Sequence, residues 1–224
     1  MSVPTPLSRR RIVATALRLI DRDGLEAVTM RRLAEELGVQ APSLYNHMRS
    51  KEALLDAVAE SVFEEVDASG FERLGWRDGL REWVWSYYEA LAAHPNLVPH
   101  LIGAFGRVDA ALSRADRVYA GLRAAGWSAS RATRIAAGAR YAVYGAALGS
   151  FAGGFTARAA AFPNLQDVEK MRTESRRVDR AALKLLIDSY LDGLEAIAPA
   201  PGGQLSRAPG ARAASGRSAS NGEA

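Results

Sequence analysis

One short stretch of this 224-residue chain constrains its fold more than any other, because it predicts two brief helices joined by a tight turn. The first, Met30 to Leu37, has its apolar residues at helical spacing, and Thr29 in front of it is a typical N-cap. Gly38 then ends the helix, since glycine tolerates the left-handed backbone of a sharp turn. The second helix, Pro42 to His47, begins with a proline, whose missing N–H would have had no partner in a first turn.

Two such helices cross steeply where a small residue lets them touch. Ala34 supplies that residue, four positions before Gly38. A preceding helix, Ser8 to Arg22, carries apolar residues at helical spacing and can close a three-helix core with them. The sequence therefore predicts a helix-turn-helix head. A fourth helix, Lys51 to Val66 with Ser50 as its N-cap, leads out of this head.

Positive charge is concentrated in the same region. Residues 1–51 hold nine arginines and lysines against five acids, while the rest of the chain holds 20 of each sign. Charge that served only solubility would be spread along the chain, so this excess favours a segment that faces phosphates. A solvated basic face is the alternative that charge alone leaves open.

The remainder of the chain predicts further helices and no strand. The helical stretches are Trp76 to Ala93, Leu97 to Phe105, Asp109 to Ala125, Ser130 to Phe151 and Asp179 to Ile197. From Ala198 to Ala224 the chain is mainly Ala, Pro, Gly, Ser and Arg, which predicts a disordered tail. We expect a head at 1–52 with an N-terminal arm at 1–8, a body at 53–197 and a tail at 198–224.

Several functional classes lack their sequence signals. With no cysteine, disulfides and thiolate zinc sites are excluded. The chain shows no secretory signal, and its most apolar stretch, Tyr141 to Phe155, is shorter than the roughly 18 residues that cross a bilayer, so we expect a soluble cytoplasmic protein. Known hydrolase, nucleotide-binding and zinc-protease motifs are missing, so we expect neither an enzyme nor a cofactor. His94 and His100 lack ligand spacing, so no metal site is expected.

The stretch from Val28 to Val58 resembles the head of the TetR, or Tet repressor, family of transcriptional regulators. The most specific elements are Leu44-Tyr45-Asn46-His47 and the Lys51-Glu52-x-Leu54-Leu55 that follows it. The resemblance implies an all-α protein in which a three-helix helix-turn-helix DNA-binding head is joined by a long helix to an α-helical ligand-binding and dimerisation body.

The resemblance also implies roles for individual side chains in the head. Residues of the second short helix are expected to read base edges in the major groove, and others to bind phosphates. The base readers are Arg31, Gln40, Ser43 and Asn46, with Ala41 and Pro42 against thymine methyl groups. The phosphate ligands are Thr29, Tyr45, His47 and Lys51. Tyr45 as a core aromatic and His47 as a helix cap remain alternatives, and Ala41 departs from the longer polar side chain of several family members.

The body is rich in aromatic side chains, and the resemblance implies a small-molecule pocket among them. The expected lining residues are Trp83, Tyr87, His100, Phe105, Tyr119, Tyr141 and Tyr144. For any one of these aromatics, a place in the core is the alternative. Small residues recur from Gly138 to Gly149, which lets another helix approach closely. The resemblance implies that this helix and the last one pair with a second copy; packing within one subunit is the alternative.

The sequence thus predicts a sequence-specific DNA-binding transcriptional regulator. We expect a homodimeric repressor that leaves a palindromic double-stranded DNA operator when a small-molecule effector tilts the fourth helix, with no membrane partner. One alternative is an all-α enzyme or small-molecule-binding protein that keeps the head without specific DNA binding. Another is an interaction or architectural module.

Overall fold

The computed structural model describes residues 6–150, 154 and 156–200 of the chain. These residues form helices and turns without a strand, which confirms the predicted all-α class. None of the helices in this part of the chain is long and apolar enough to span a membrane. Most of the predicted arm, the predicted helix end at Phe151 and residues 201–224 of the predicted tail lie outside the described residues.

The head consists of three helices, and a fourth follows. They are α1 (Arg9–Asp23), α2 (Met30–Leu37), α3 (Ala41–Tyr45) and α4 (Lys51–Glu64). Each predicted N-cap side chain is in place, since Thr29 Oγ1 accepts a hydrogen bond from Arg32 N at 3.1 Å and Ser50 Oγ accepts one from Ala53 N at 3.1 Å. Gly38 has φ 69° and ψ 34°, the left-handed conformation that the turn requires.

The three head helices close one apolar core. Ala34 is buried where α2 meets α3, as the helix-turn-helix prediction requires, and Leu44 of α3 has no exposed surface. Arg11 of α1 donates from Nη2 to the carbonyl oxygen of Leu37 at 3.3 Å. Arg11 therefore stabilises the end of α2.

The body is built from the remaining helices. They are α5 (Gly70–Ala93), α6 (Val98–Ala104), α7 (Asp109–Ala124), α8 (Ala129–Ala147), α9 (Gln166–Met171) and α10 (Ser175–Glu195). Helix α5 begins at Gly70 and kinks at Gly75, whose φ is 78°, so the predicted start at Trp76 is the start of its second segment. Helix α9 has no counterpart in the sequence prediction.

Polar contacts tie α4 to α7 in the body. The Glu60 carboxylate accepts the backbone N–H of Ala110, at 2.9 and 3.0 Å from its two oxygens. Arg114 donates to the carbonyl oxygens of Glu64 at 2.9 Å and Val66 at 3.3 Å. The start of α7 is thus capped by α4, and α7 in turn holds the last turn of α4.

A second joint connects α1 to the turn after α5. Asn96 Nδ2 donates to the carbonyl oxygens of Ile20 at 3.0 Å and Asp21 at 3.1 Å. His94 Nδ1 lies 2.9 Å from the Asp21 carboxylate. The head is therefore fixed to the body at the end of α1 as well as through α4.

Candidate nucleic-acid interface and ligand pocket

Helix α3 presents one face to the head core and the other to solvent. Leu44 lies in the core, whereas Tyr45, the next residue, is 51% exposed. Consecutive residues of a helix point about 100° apart, and on this short helix that offset directs the tyrosine to solvent. Tyr45 is therefore not a core aromatic, and its ring and hydroxyl are free to meet a partner.

The exposed face extends from the turn before α3 to the start of α4. Within the described chain, none of the polar side chains on this face makes a hydrogen bond or ion pair, and this holds for Gln40, Ser43, Tyr45, Asn46, His47 and Lys51. Such groups are expected to bind water or an external partner. His47 in particular does not cap a helix with its side chain.

The other expected DNA ligands in the head have partners of their own. Thr29 uses its hydroxyl oxygen as the N-cap of α2, which leaves the hydroxyl proton free to donate. Arg31 is paired with Glu35 at 3.0 Å, but its side chain is 87% exposed, and a surface pair of this kind contributes little. Pro42 is exposed in the first turn of α3, while Ala41 beside it is partly buried.

The start of α4 combines a basic side chain with the positive N-terminal end of a helix. Lys51 is its first residue, and Glu52 follows. Hydrogen bonds from its own backbone N–H and from Ser50 hold the pKa of the Glu52 carboxyl below its ordinary value. This N-terminus therefore favours negative charge, which is the property a phosphate ligand needs.

A cavity of about 100 Å³ lies between α5, α7 and α8. Three of the expected ligand residues, Trp83, Phe105 and Tyr119, line it together with Arg140. The remaining lining residues are Ala115, Val118, Ala136 and Ala137.

Two of the expected ligand residues pair with each other. The hydroxyls of Tyr87 and Tyr144 are 2.9 Å apart. Burial raises the pKa of both phenols, so both keep their protons at neutral pH. One hydroxyl donates to the other, and the second proton remains available.

Arg140 is a pocket residue that the sequence analysis did not identify. Its guanidinium carbon lies 4.3 Å from the ring centroid of Phe105 and 5.8 Å from that of Tyr144. Its Nε is fully buried with no hydrogen-bond partner. The available signal was its i,i+4 spacing to Tyr144, which puts an arginine and an aromatic on one face of a helix otherwise rich in small residues.

Tyr141 and His100 do not lie with the other expected pocket residues. Tyr141 is 68% exposed, because it follows Arg140 on α8 and so points away from the cavity. His100, on α6, has its Nε2 buried without a partner, and burial lowers its pKa below the ordinary value. Among the described residues, no group of three or more His, Asp or Glu side chains could hold a metal ion.

The outer faces of α8 and α10 expose large apolar side chains. They are Tyr141 and Leu148 on or beside α8, and Leu185 and Leu186 on α10. Some of the small residues of α8 pack against the same chain and others do not. A Cβ on Gly138 would lie 2.8 Å from the hydroxyl of Tyr190 in the same chain, whereas one on Gly145 would meet nothing within 4 Å. Part of the stripe thus packs within the subunit, and part is open.

Comparison with known proteins gives one family match and several similar chains. The family of bacterial regulatory proteins called tetR matches residues 12–58, the head and the start of α4. The tetracycline repressor protein class C of Escherichia coli is 41% identical over 90 residues, which cover 39% of this chain and 41% of that protein. The chain thus matches less than half the length of this curated relative.

Solved structures match over a larger part of the chain. The TetR family protein ActR of Streptomyces coelicolor, in complex with (S)-DNPA, is 27% identical with a TM-score of 0.68, covering 87% of this chain and all of ActR. BioQ with its double-stranded DNA operator is 26% identical with a TM-score of 0.59, covering 84% of this chain and 99% of BioQ.

Proposed function

We propose that this chain, whose residues 12–58 match the tetR family of bacterial regulatory proteins, is a sequence-specific transcriptional repressor that a small-molecule ligand releases from a palindromic DNA operator. The observation that carries this proposal is the exposed face of α3, where a buried Leu44 fixes the helix while Tyr45 and its polar neighbours have no partner in the described chain. BioQ, of similar fold, has been solved with its operator, which supports the same role.

On this proposal the exposed face of the head divides into two kinds of contact. Gln40, Ser43 and Asn46 read base edges, since amide and hydroxyl groups can pair with adenine or guanine in the major groove. Arg31 adds a guanine contact by leaving Glu35, and Ala41 and Pro42 meet thymine methyl groups.

Phosphate contacts fix the head on the duplex without reading its sequence. Tyr45, His47 and Thr29 donate from side chains on one edge of α3 and α2. Lys51 binds a phosphate at the start of α4, where the N–H groups of the helix also favour an anion.

The proposal includes a homodimer formed through α8 and α10. Tyr141, Leu185 and Leu186 are exposed on these helices, and an apolar face of this kind loses its contact with water when two copies pair. A two-fold dimer suits the head, because two copies of α3 then meet half-sites about 34–36 Å or a multiple apart in a palindromic operator.

Release by a ligand follows from the contacts of α7. This helix lines the cavity through Tyr119. Its Arg114 donates a hydrogen bond to the backbone of α4, and Glu60 of α4 caps its first turn. A ligand that shifts α7 thus shifts α4, which changes the separation of the two heads. ActR, of similar fold, has been solved with a small molecule, which supports a ligand in the body.

Catalysis and location follow from the same proposal. The family consists of transcriptional regulators, and we propose that this chain is likewise not an enzyme. A bacterial protein that binds an operator acts on DNA in the cytoplasm, so we propose a cytoplasmic location.

The proposal is tested by selecting bound sequences from a random DNA pool with the purified protein. We expect an enriched palindrome for the wild type and none for the double variant Tyr45→Ala/Lys51→Ala. Arg73→Ala, which removes a surface charge from the body, serves as the control and should enrich the same palindrome. If the wild type enriches no sequence, or the double variant enriches the same one, the proposal is wrong.

A further inference from the structure

The cavity between α5, α7 and α8 contains a positive charge that its surroundings do not neutralise. Arg140 makes no ion pair within the described chain, and its Nε is buried without a hydrogen-bond partner. We infer that the ligand is an aromatic acid whose anionic group, a carboxylate, binds Arg140. This inference rests on the proposed ligand-responsive function.

The surroundings of Arg140 explain why an anion fits. A buried charge is costly unless it is paired and hydrogen-bonded. The guanidinium carbon lies 4.3 Å from the ring centroid of Phe105 and 5.8 Å from that of Tyr144, and among its N–H donors the Nε–H is buried without an acceptor. A carboxylate would accept two of those donors at once, in the fork geometry that suits arginine.

The size and lining of the cavity indicate what carries the carboxylate. Its volume is about 100 Å³. A cavity of roughly 150 Å³ accommodates benzene, so the space here takes at most a single ring, and the lining side chains must move outward to admit it. Trp83, Phe105 and Tyr119 line it and can pack against that ring edge to face.

The paired tyrosines place neutral hydroxyl groups next to Arg140. Tyr144 lies beside both Arg140 and Tyr87, and both phenols stay neutral because burial raises their pKa. Neutral hydroxyls donate to an anion instead of repelling it. An amide or an ester of the same acid keeps the ring but lacks the charge that Arg140 needs.

The experiment compares acids with their amides. Benzoate, 4-hydroxybenzoate and cinnamate, and the three matching amides, are titrated into the purified protein while the fluorescence of Trp83 and its neighbours is followed, with calorimetry as a second readout. We expect at least one acid to bind about 10- to 100-fold more tightly than its amide, the ratio typical of a charged hydrogen-bonded pair.

Variants of α8 separate the charge from the fold. Arg140→Met should bind acid and amide equally weakly, and Arg140→Lys should retain part of the preference for the acid. Arg134→Met, an exposed arginine on the same helix, is the matched control and should behave as the wild type. Circular dichroism confirms that each variant is folded, and the wild-type comparison of acid and amide needs no variant.

Three outcomes overturn the inference: an amide that binds as tightly as its acid, an unchanged acid affinity in Arg140→Met, or no binding by any of the three acids at millimolar concentration. Operator selection separates these results from failure of the proposed function. An enriched palindrome with no acid bound contradicts only the assignment of the ligand, whereas the loss of both contradicts the regulator itself.

Discussion

Glu60 is the residue whose substitution tests the joint between α4 and the body. Its carboxylate accepts the backbone N–H of Ala110 at 2.9 and 3.0 Å, and the N-cap of α7, Val108, offers no side-chain hydrogen bond. Glu60 therefore supplies from another helix the cap that α7 lacks. We predict that Glu60→Ala destabilises the protein and weakens the effect of ligand on operator affinity.

The magnitude follows from what the carboxylate provides. Loss of a helix cap costs about 0.5–2 kcal/mol. The attraction between the carboxylate charge and the helix dipole accounts for about 0.3–1 kcal/mol of this cost. For a chain of 224 residues, about 1 kcal/mol corresponds to roughly 2–4 °C in Tm, so Glu60→Ala should lower Tm by about 1–8 °C. Glu60→Gln keeps an acceptor oxygen and should lose about half as much.

Thermal and urea unfolding measure this loss, at one fixed protein concentration because the proposed dimer would make Tm depend on concentration. Glu64→Ala is the matched control: it lies one turn further along α4, is exposed, and its side chain has no partner in the described chain. The reasoning is refuted if Glu60→Ala and Glu64→Ala lower Tm equally, or if ligand releases the operator from Glu60→Ala as well as from the wild type.

Three further substitutions test other parts of the structure. Gly38→Ala should lower the free energy of unfolding by about 1–2 kcal/mol, because φ is 69° there, and urea unfolding that shows no loss would contradict the turn. Burial lowers the pKa of His100 in the folded state, so the unfolded chain takes up a proton first as the pH falls through about 6.5, and the wild type loses stability there. His100→Asn should therefore lose less stability than the wild type between about pH 7.5 and 5.5. Equal pH profiles of the free energy of unfolding would count against this. Lys51→Ala should reduce the slope of log affinity against log salt concentration by about 1, and an unchanged slope would exclude the phosphate contact.

The head could be predicted closely because its signals are local. Thr29 and Ser50 cap helices that begin at the next residue, and Gly38 adopts the left-handed backbone that no larger side chain accepts as readily. Leu44 lies in the core and Tyr45 beside it is exposed. Each of these features depends on a few neighbouring residues, which a single sequence contains.

The pocket could be predicted only in part because its residues come from helices far apart in the chain. Aromatic composition pointed to Trp83 and Phe105 but equally to Tyr141, which lies on the outer face of α8. Which face of α8 is inside depends on packing against α5 and α10, and the sequence does not state the rotation of one helix relative to another. Arg140 was missed for the same reason, since a charged residue on a helix is usually a solvent-exposed one.

The measurement that tests the central claim most directly is the ratio of affinities for the selected operator and for a scrambled duplex of the same length, taken at one physiological salt concentration. The account predicts that the wild type binds the operator at least about 10³-fold more tightly, and that Tyr45→Ala/Lys51→Ala loses most of its operator affinity. Equal affinity of the wild type for both duplexes would contradict it, because the exposed face of α3 would then bind phosphates without reading a sequence.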